Sequence, residues 1–282
     1  MTTIYSPAEK GFDERLASID RCQIALLREI ASDHGRRFTL KGGMAMRVVF
    51  GSMRLTKDID FDRDRSVSLD SAKKSLPKAL LRAATNAGIR QPGAEVTKAS
   101  GTTLRVRLTG RSPGGTQLRF EVEVSGRGAL ASGHRRTEIV IPPSSYGMAP
   151  FAVEAYSNDM LAAMKIGAAM SDARNVPRDL YDLGDLVLAG ADPSSILAGR
   201  PAEALRRIRG QALNKLDLVG YERAREELLP YLPPEIRTGL TEASWTEKTL
   251  MVGEAIEAWV SKALQSRDQA RGGTTSPVGD DR

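Results

Sequence analysis

The chain has 282 residues, 41% hydrophobic and 27% charged, enough for a substantial core in one composite domain or two closely packed ones. A single cysteine (Cys22) and two histidines (His34 and His134) exclude an internal disulfide, a cysteine zinc cluster and a histidine-rich metal centre, so any metal has to be held mainly by carboxylates. A net charge of +6 favours an anionic partner, while 5% aromatic residues argue against base-stacking platforms as the main route to nucleic acid. The chain contains no apolar run of membrane-spanning length, and its first residues lack the charged-then-apolar form of a signal peptide. A cytoplasmic protein without membrane contact is therefore expected.

In chain order, Leu16, Ile19, Ile24, Leu27 and Ile30 recur at helical spacing over 7–34, with Gly35 as the stop. Residues 37–41 read as a short strand running into Gly42-Gly43. A short helix over 44–50 follows, closed by Gly51, and then a strand over 56–62. A helix spans 71–87. Three alternating strands, 94–98, 103–108 and 117–124, are separated by turns such as Ser112-Pro113-Gly114-Gly115. One more strand, 138–141, precedes Pro142-Pro143. From Ser157, a good N-cap, the pattern becomes helical: 158–173, 178–188, 201–216, 221–229 and 246–264. Residues 265–282 lack periodicity and read as disordered. The fold class is α+β, with an α/β part over 1–150, a helical part over 151–264 and a tail over 265–282.

The chemistry concentrates between Leu40 and Phe61. Asp58 and Asp60 are two residues apart, so a strand points both side chains to one face, where they repel unless a cation lies between them. Oxygen ligands of this kind suit magnesium, with manganese as an alternative. The Gly42-Gly43 turn frees backbone N–H groups to face a phosphate at the positive end of the next helix. Gly51-Ser52 is a competing phosphate turn. Gly51, however, falls at a helix stop, and only five residues separate Ser52 from Asp58, so Ser52 receives a supporting role. Glu121 and Glu123 share a strand face, and either completes a two-metal site if that strand pairs beside Asp58. Arg105, Arg107, Arg111, Arg119, Arg127, Arg135 and Arg136 form one basic group, and Arg206, Arg207 and Arg209 another. A long anion such as RNA would use both groups; a nucleotide alone would not.

The blocks Lys41-Gly42-Gly43-Met44-Ala45-Met46-Arg47 and Arg54-Leu55-Thr56-Lys57-Asp58-Ile59-Asp60 resemble the AbiEii/AbiGii (MenT-like) nucleotidyltransferase toxins. So does a later block, Lys165-Ile166-Gly167-Ala168-Ala169 with Arg174 and Arg178-Asp179-Leu180-Tyr181-Asp182-Leu183. The family usually has a small hydroxyl residue where this chain has Met44. The resemblance implies a polymerase-β-like nucleotidyltransferase core followed by a helical domain, with the site in the cleft between them. It implies that Asp58 and Asp60 hold magnesium; on the strand reading above, Glu123 is taken as third metal ligand, with Glu121 left open as the alternative. Gly42 and Gly43 would surround the triphosphate, with Lys41, Ser52, Lys57 and Arg178 as further nucleotide contacts. Lys165 would neutralise phosphate charge, and Asp182 would serve as general base or polar organiser. The implied activity is transfer of a nucleoside monophosphate from a triphosphate to the 3′ end of RNA, the tRNA acceptor end first of all, so that translation stops. The implied partners are that RNA, the triphosphate and an AbiEi-type antitoxin, in a phage-defence or abortive-infection setting. Two alternatives stay open: transfer to a protein acceptor such as the antitoxin, and a nucleotide- or RNA-binding module without turnover.

Overall fold

The computed structural model describes residues 2–34, 37–64, 66–126, 132–171 and 177–272. Arg127 and Arg174, singled out above, and residues 273–282 of the tail lie outside the described residues. The chain forms two compact units, Met1–Ser157 with Leu228–Gly239, and Asn158–Glu227 with Leu240–Arg282. Among the described residues every strand lies in the first unit, which also takes in a short segment from the helical half of the sequence.

The first unit is built on a mixed sheet of eight strands in the order β1-β7-β8-β2-β3-β6-β5-β4. The strands are β1 (Thr2–Thr3), β2 (Phe38–Lys41), β3 (Ile59–Arg63), β4 (Arg90–Ala99), β5 (Thr103–Arg111), β6 (Gln117–Ser125), β7 (Arg135–Ile141) and β8 (Phe151–Tyr156). On β6 the alternation is clean. Leu118, Phe120, Val122 and Val124 are buried, while Gln117 and Arg119 are exposed on the opposite face with Glu121 and Glu123 half-buried. Helices α1 (Glu14–His34) and α3 (Leu69–Asn86) pack on the sheet, and on each other. Ser68 caps α3 by accepting a hydrogen bond from the Ser71 N–H, and the helix buries Leu76 and Leu80 among four alanines. Each such leucine contributes about 1.5–3 kcal/mol by leaving water.

Between β2 and β3 lies the seven-residue helix α2 (Gly42–Val48). Its Arg47 is fully buried, and its Nε and Nη2 each lie 3.2 Å from an oxygen of Asp20 on α1. Arg47 also donates to the Tyr5 carbonyl at 2.7 Å and stacks over the Tyr5 ring. Tyr146 donates its hydroxyl to the same Asp20, and burial raises the pKa of that phenol. This knot ties the helix behind the glycine pair to α1. Removing one partner strands a buried charge, so Arg47→Met is expected to lower unfolding free energy by about 3–5 kcal/mol in urea titrations. The double variant Arg47→Met/Asp20→Leu is expected to recover most of that loss, because no charge is left unpaired.

The second unit is helical: α4 (Asn158–Ala169), α5 (Pro177–Leu188), α6 (Ser194–Leu197), α7 (Ala202–Asp217), α8 (Tyr221–Leu228) and α10 (Glu242–Gly272). The four-residue α9 (Pro234–Arg237) belongs to the first unit. Helix α10 packs on α5, α6 and α7, burying Val252, Ile256, Val260 and Ala263. Trp245 donates its indole N–H to the Val219 carbonyl at 2.7 Å. The helix runs to Gly272, eight residues past Leu264 where the sequence pattern ended. No helix among the described residues is long and apolar enough to cross a membrane.

Candidate active site

The site grows from the β2–β3 hairpin-like pair. Lys41 pairs with Asp60 across the antiparallel β2–β3 ladder, and Asp60 pairs with Glu123 across the parallel β3–β6 ladder. Register partners share a face, so Lys41, Asp60, Glu123 and then Arg105 on β5 form one charged row across the sheet. Asp58 lies one residue ahead of β3 rather than inside the strand expected over 56–62. The β2–β3 ladder begins only at Asp60, so the loop before it, not the pleat, sets the Asp58 position.

That loop is anchored from four directions. Thr2 Oγ1 donates to the Val49 carbonyl at 2.6 Å and Tyr5 Oη to the Met53 carbonyl at 2.7 Å. The Leu55 N–H donates to the Tyr231 carbonyl at 2.8 Å, and Gln23 Nε2 to the Lys57 carbonyl at 3.0 Å. Tyr231 lies in the segment that returns from the helical half, and the Lys57 ammonium sits over its ring at 4.8 Å. Fixing backbone polar groups at this density holds the residues that follow. Gln23 and Tyr231 carried no recognisable chemical motif in the sequence; only Pro230, Pro233 and Pro234 hinted that the chain breaks from its helices there.

The glycine pair approaches the carboxylates closely. Gly42 has a φ of +66°, and a side chain placed there would put its Cβ 2.5 Å from Asp60 Oδ2. A Cβ at Gly43 would lie 2.6 Å from Thr56 Oγ1 and 3.1 Å from the Arg54 guanidinium. The two glycines form the first turn of α2, where the first N–H groups of a helix have no intrahelical partner. The first N–H groups of α2 therefore adjoin the Asp60 carboxylate. That pairing suits a phosphate bridged to carboxylates by a divalent cation.

The other predicted residues fall as follows. Lys41 Nζ contacts Asp62 Oδ1 at 2.5 Å and Ser125 Oγ at 3.1 Å. Asp62, buried and two residues past Asp60, also accepts from Ser125 at 2.8 Å and Tyr156 at 3.0 Å. Burial raises the Tyr156 pKa, and the Asp62 charge adds to it. This polar group lies on the same strand face as Asp60 and ties β3 to β2, β6 and β8. It was not singled out from the sequence, although Asp58, Asp60 and Asp62 follow one period-two line.

The Ser52 hydroxyl accepts from the Arg54 N–H at 3.3 Å, so it serves the loop turn. Glu123 accepts from Arg105 at 2.8 Å and 3.1 Å, and Glu121 from Arg107 at 3.4 Å. The hydrogen bond to Glu123 is the leading cause that raises the Arg105 pKa, and the charges of Glu121 and Asp58 add to it. Among the described residues no three Asp, Glu, His or Cys side chains converge as a metal cluster. A magnesium ion commonly takes one or two carboxylates together with phosphate oxygens and water, and Asp58 with Asp60 fits that requirement without Glu123.

In the second unit Lys165 on α4 meets Asp182 on α5 at 2.6 Å and Asp179 at 3.2 Å. All three are buried, Asp182 completely. Arg178 is half-buried one position after the start of α5. The sequence-predicted lysine and aspartate thus form one ion-paired group within that unit.

The profile described as "Nucleotidyl transferase AbiEii toxin, Type IV TA system" matches residues 25–259, well over half of the chain. No curated protein matches the chain. Among solved structures, JHP933 from Helicobacter pylori is 15% identical, aligns over 93% of this chain and 99% of its own, and gives a TM-score of 0.52. MenT4, a nucleotidyltransferase toxin from Mycobacterium tuberculosis H37Rv, is 16% identical over 95% of this chain and 94% of its own, with a TM-score of 0.53. At such identities the likeness establishes the fold. The profile match establishes the family, which implies a nucleotide substrate and an antitoxin partner. The chain belongs to the AbiEii family of nucleotidyltransferase toxins of type IV toxin–antitoxin systems.

Proposed function

We propose that the protein transfers a nucleoside monophosphate from a nucleoside triphosphate to the 3′ end of RNA, with the tRNA acceptor end as the leading substrate, and so blocks translation. The observation that carries this reading is the close approach of Gly42 to Asp60, which sets the first backbone N–H groups of α2 beside a carboxylate. In the proposed reaction the RNA 3′-oxygen attacks the α-phosphorus, the bond to the β-phosphate oxygen breaks, and pyrophosphate leaves. The α2 N-terminus binds the triphosphate, and the anchored loop keeps Asp58 oriented. Asp58 and Asp60 would hold magnesium, which supplies charge neutralisation at the phosphoryl oxygens. Lys165 and Asp182, for which the resemblance implies roles as phosphate counter-charge and as general base or polar organiser, are buried and paired with each other, and no step of the proposed reaction is routed through them. The net charge of +6 and the exposed arginines suit a polyanionic acceptor in the cytoplasm.

The test is incubation with magnesium, each labelled triphosphate in turn and either total tRNA or the cognate antitoxin. Label on tRNA, and none on the antitoxin, is expected. Label on the antitoxin alone would transfer the reading to a protein acceptor, and tight triphosphate binding without product would reduce it to a binding module.

A further inference from the structure

β3 starts at Ile59 opposite Val122, so the stretch of β6 before Val122 has no β3 residue beside it. The notch left there is a cavity of about 350 Å³ in the first unit, with Asp58 in its wall. Leu16 and Ile19 of α1 and the Tyr231 ring supply apolar surface, Glu121 lies on the same β6 face as Arg119, and Arg15 and Arg119 are exposed at the border. Among the described residues neither arginine has an ion-pair partner, unlike Arg105 and Arg107 next to them. The cavity size lies at the lower end of small-molecule sites, room for one nucleoside.

From this notch we propose that the terminal nucleotide of the RNA acceptor docks with its base against Leu16, Ile19 and Tyr231 and its 5′-phosphate between Arg15 and Arg119. The inference rests on the proposed transfer reaction. Sheet order decides which nucleotide enters. β3 lies between β2 and β6, so Asp58 and Asp60 have the glycine pair on the β2 side and the notch on the β6 side. In-line displacement at phosphorus requires the attacking and leaving oxygens on opposite sides. With pyrophosphate leaving on the α2 N-terminus, the attacking 3′-hydroxyl arrives from the notch. Planar apolar walls take any base face, and unpaired guanidinium groups suit phosphate.

Steady-state transfer should be measured for the wild type, for Arg15→Ala/Arg119→Ala, and for Ile19→Trp, which fills the notch. Both arginines are exposed, so the double variant is expected to keep its thermal midpoint. Its KM for RNA should rise about tenfold or more, the slope of log KM against log salt should flatten by about one to two, and its KM for triphosphate should stay within about twofold. Ile19→Trp should raise KM for RNA as well, with the triphosphate KM unmoved. A rise in the triphosphate KM would assign the notch to the incoming nucleotide and overturn the inference, as would unchanged KM for RNA in both variants. Absence of transfer by the wild type would instead defeat the reaction itself.

Discussion

Asp58→Ala and Asp60→Ala are each expected to lower nucleotide transfer to RNA by about a thousandfold or more, roughly 4 kcal/mol of lost transition-state stabilisation. Both carboxylates are half-buried, and the Asp58 charge acts on Arg105. Either substitution should therefore change stability only slightly, by about 1 kcal/mol or less. Asp62 provides the contrast. It is buried against Lys41, Ser125 and Tyr156, so Asp62→Ala removes the counter-charge of a half-buried ammonium and the acceptor of two hydroxyls, and should lower stability by several kcal/mol, about 3–5 by the cost of breaking a buried pair. Thermal scans beside initial rates separate the two kinds of aspartate. A large stability loss in Asp58→Ala with residual transfer would place that residue in the scaffold.

The second large effect belongs to the glycine pair. Gly42→Ala adds a Cβ that would sit 2.5 Å from Asp60 Oδ2, at a backbone φ of +66°. The backbone conformation alone costs about 1–2 kcal/mol for a residue with a Cβ. The contact also displaces the carboxylate and narrows the approach to the α2 N–H groups. Transfer should fall by about a hundredfold or more, the price of a misplacement near 1 Å at reacting groups. Gly51→Ala separates the two causes. Gly51 has the same φ of +66°, but its nearest neighbour to an added Cβ is Thr2 Cγ2 at 3.8 Å. That variant should lose comparable stability and keep transfer within about threefold, since only the backbone term applies. Loss of transfer in Gly51→Ala equal to that in Gly42→Ala would restore Gly51-Ser52 as the phosphate turn.

Much of this architecture was readable because it is written in periodicity. The strand pattern of 117–124, the helix ahead of Gly35 and the glycine-then-aspartate order all follow from local side-chain spacing. The elements that escaped depend on distant partners. β8 lies beside β2 in the sheet, yet Phe151-Ala152-Val153-Glu154-Ala155-Tyr156 offers two alanines and weak alternation, and it leads directly into the Ser157 cap. Its place comes from sheet pairing and from Tyr156 reaching Asp62. The Leu228–Gly239 segment was visible only as a proline-rich interruption, because nothing local shows that Tyr231 accepts from Leu55 in another part of the chain. At the site itself, the residue types Gly42, Gly43, Asp58 and Asp60 were legible from spacing. Glu123 shows the limit of spacing: register brings it beside Asp60, while Arg105, two strands from β3, takes its carboxylate. The Lys165–Asp182 contact likewise joins two helices whose pairing no single-helix pattern reveals.

Isotope position separates nucleotidyl from phosphoryl transfer. Wild-type protein with magnesium and RNA should be supplied in parallel with triphosphate labelled at the α- or the γ-phosphate. Only the α label is expected to enter RNA, at its 3′ end, with the γ label released as pyrophosphate. Entry of the γ label into any acceptor, or retention of both labels in unreacted triphosphate, would contradict it.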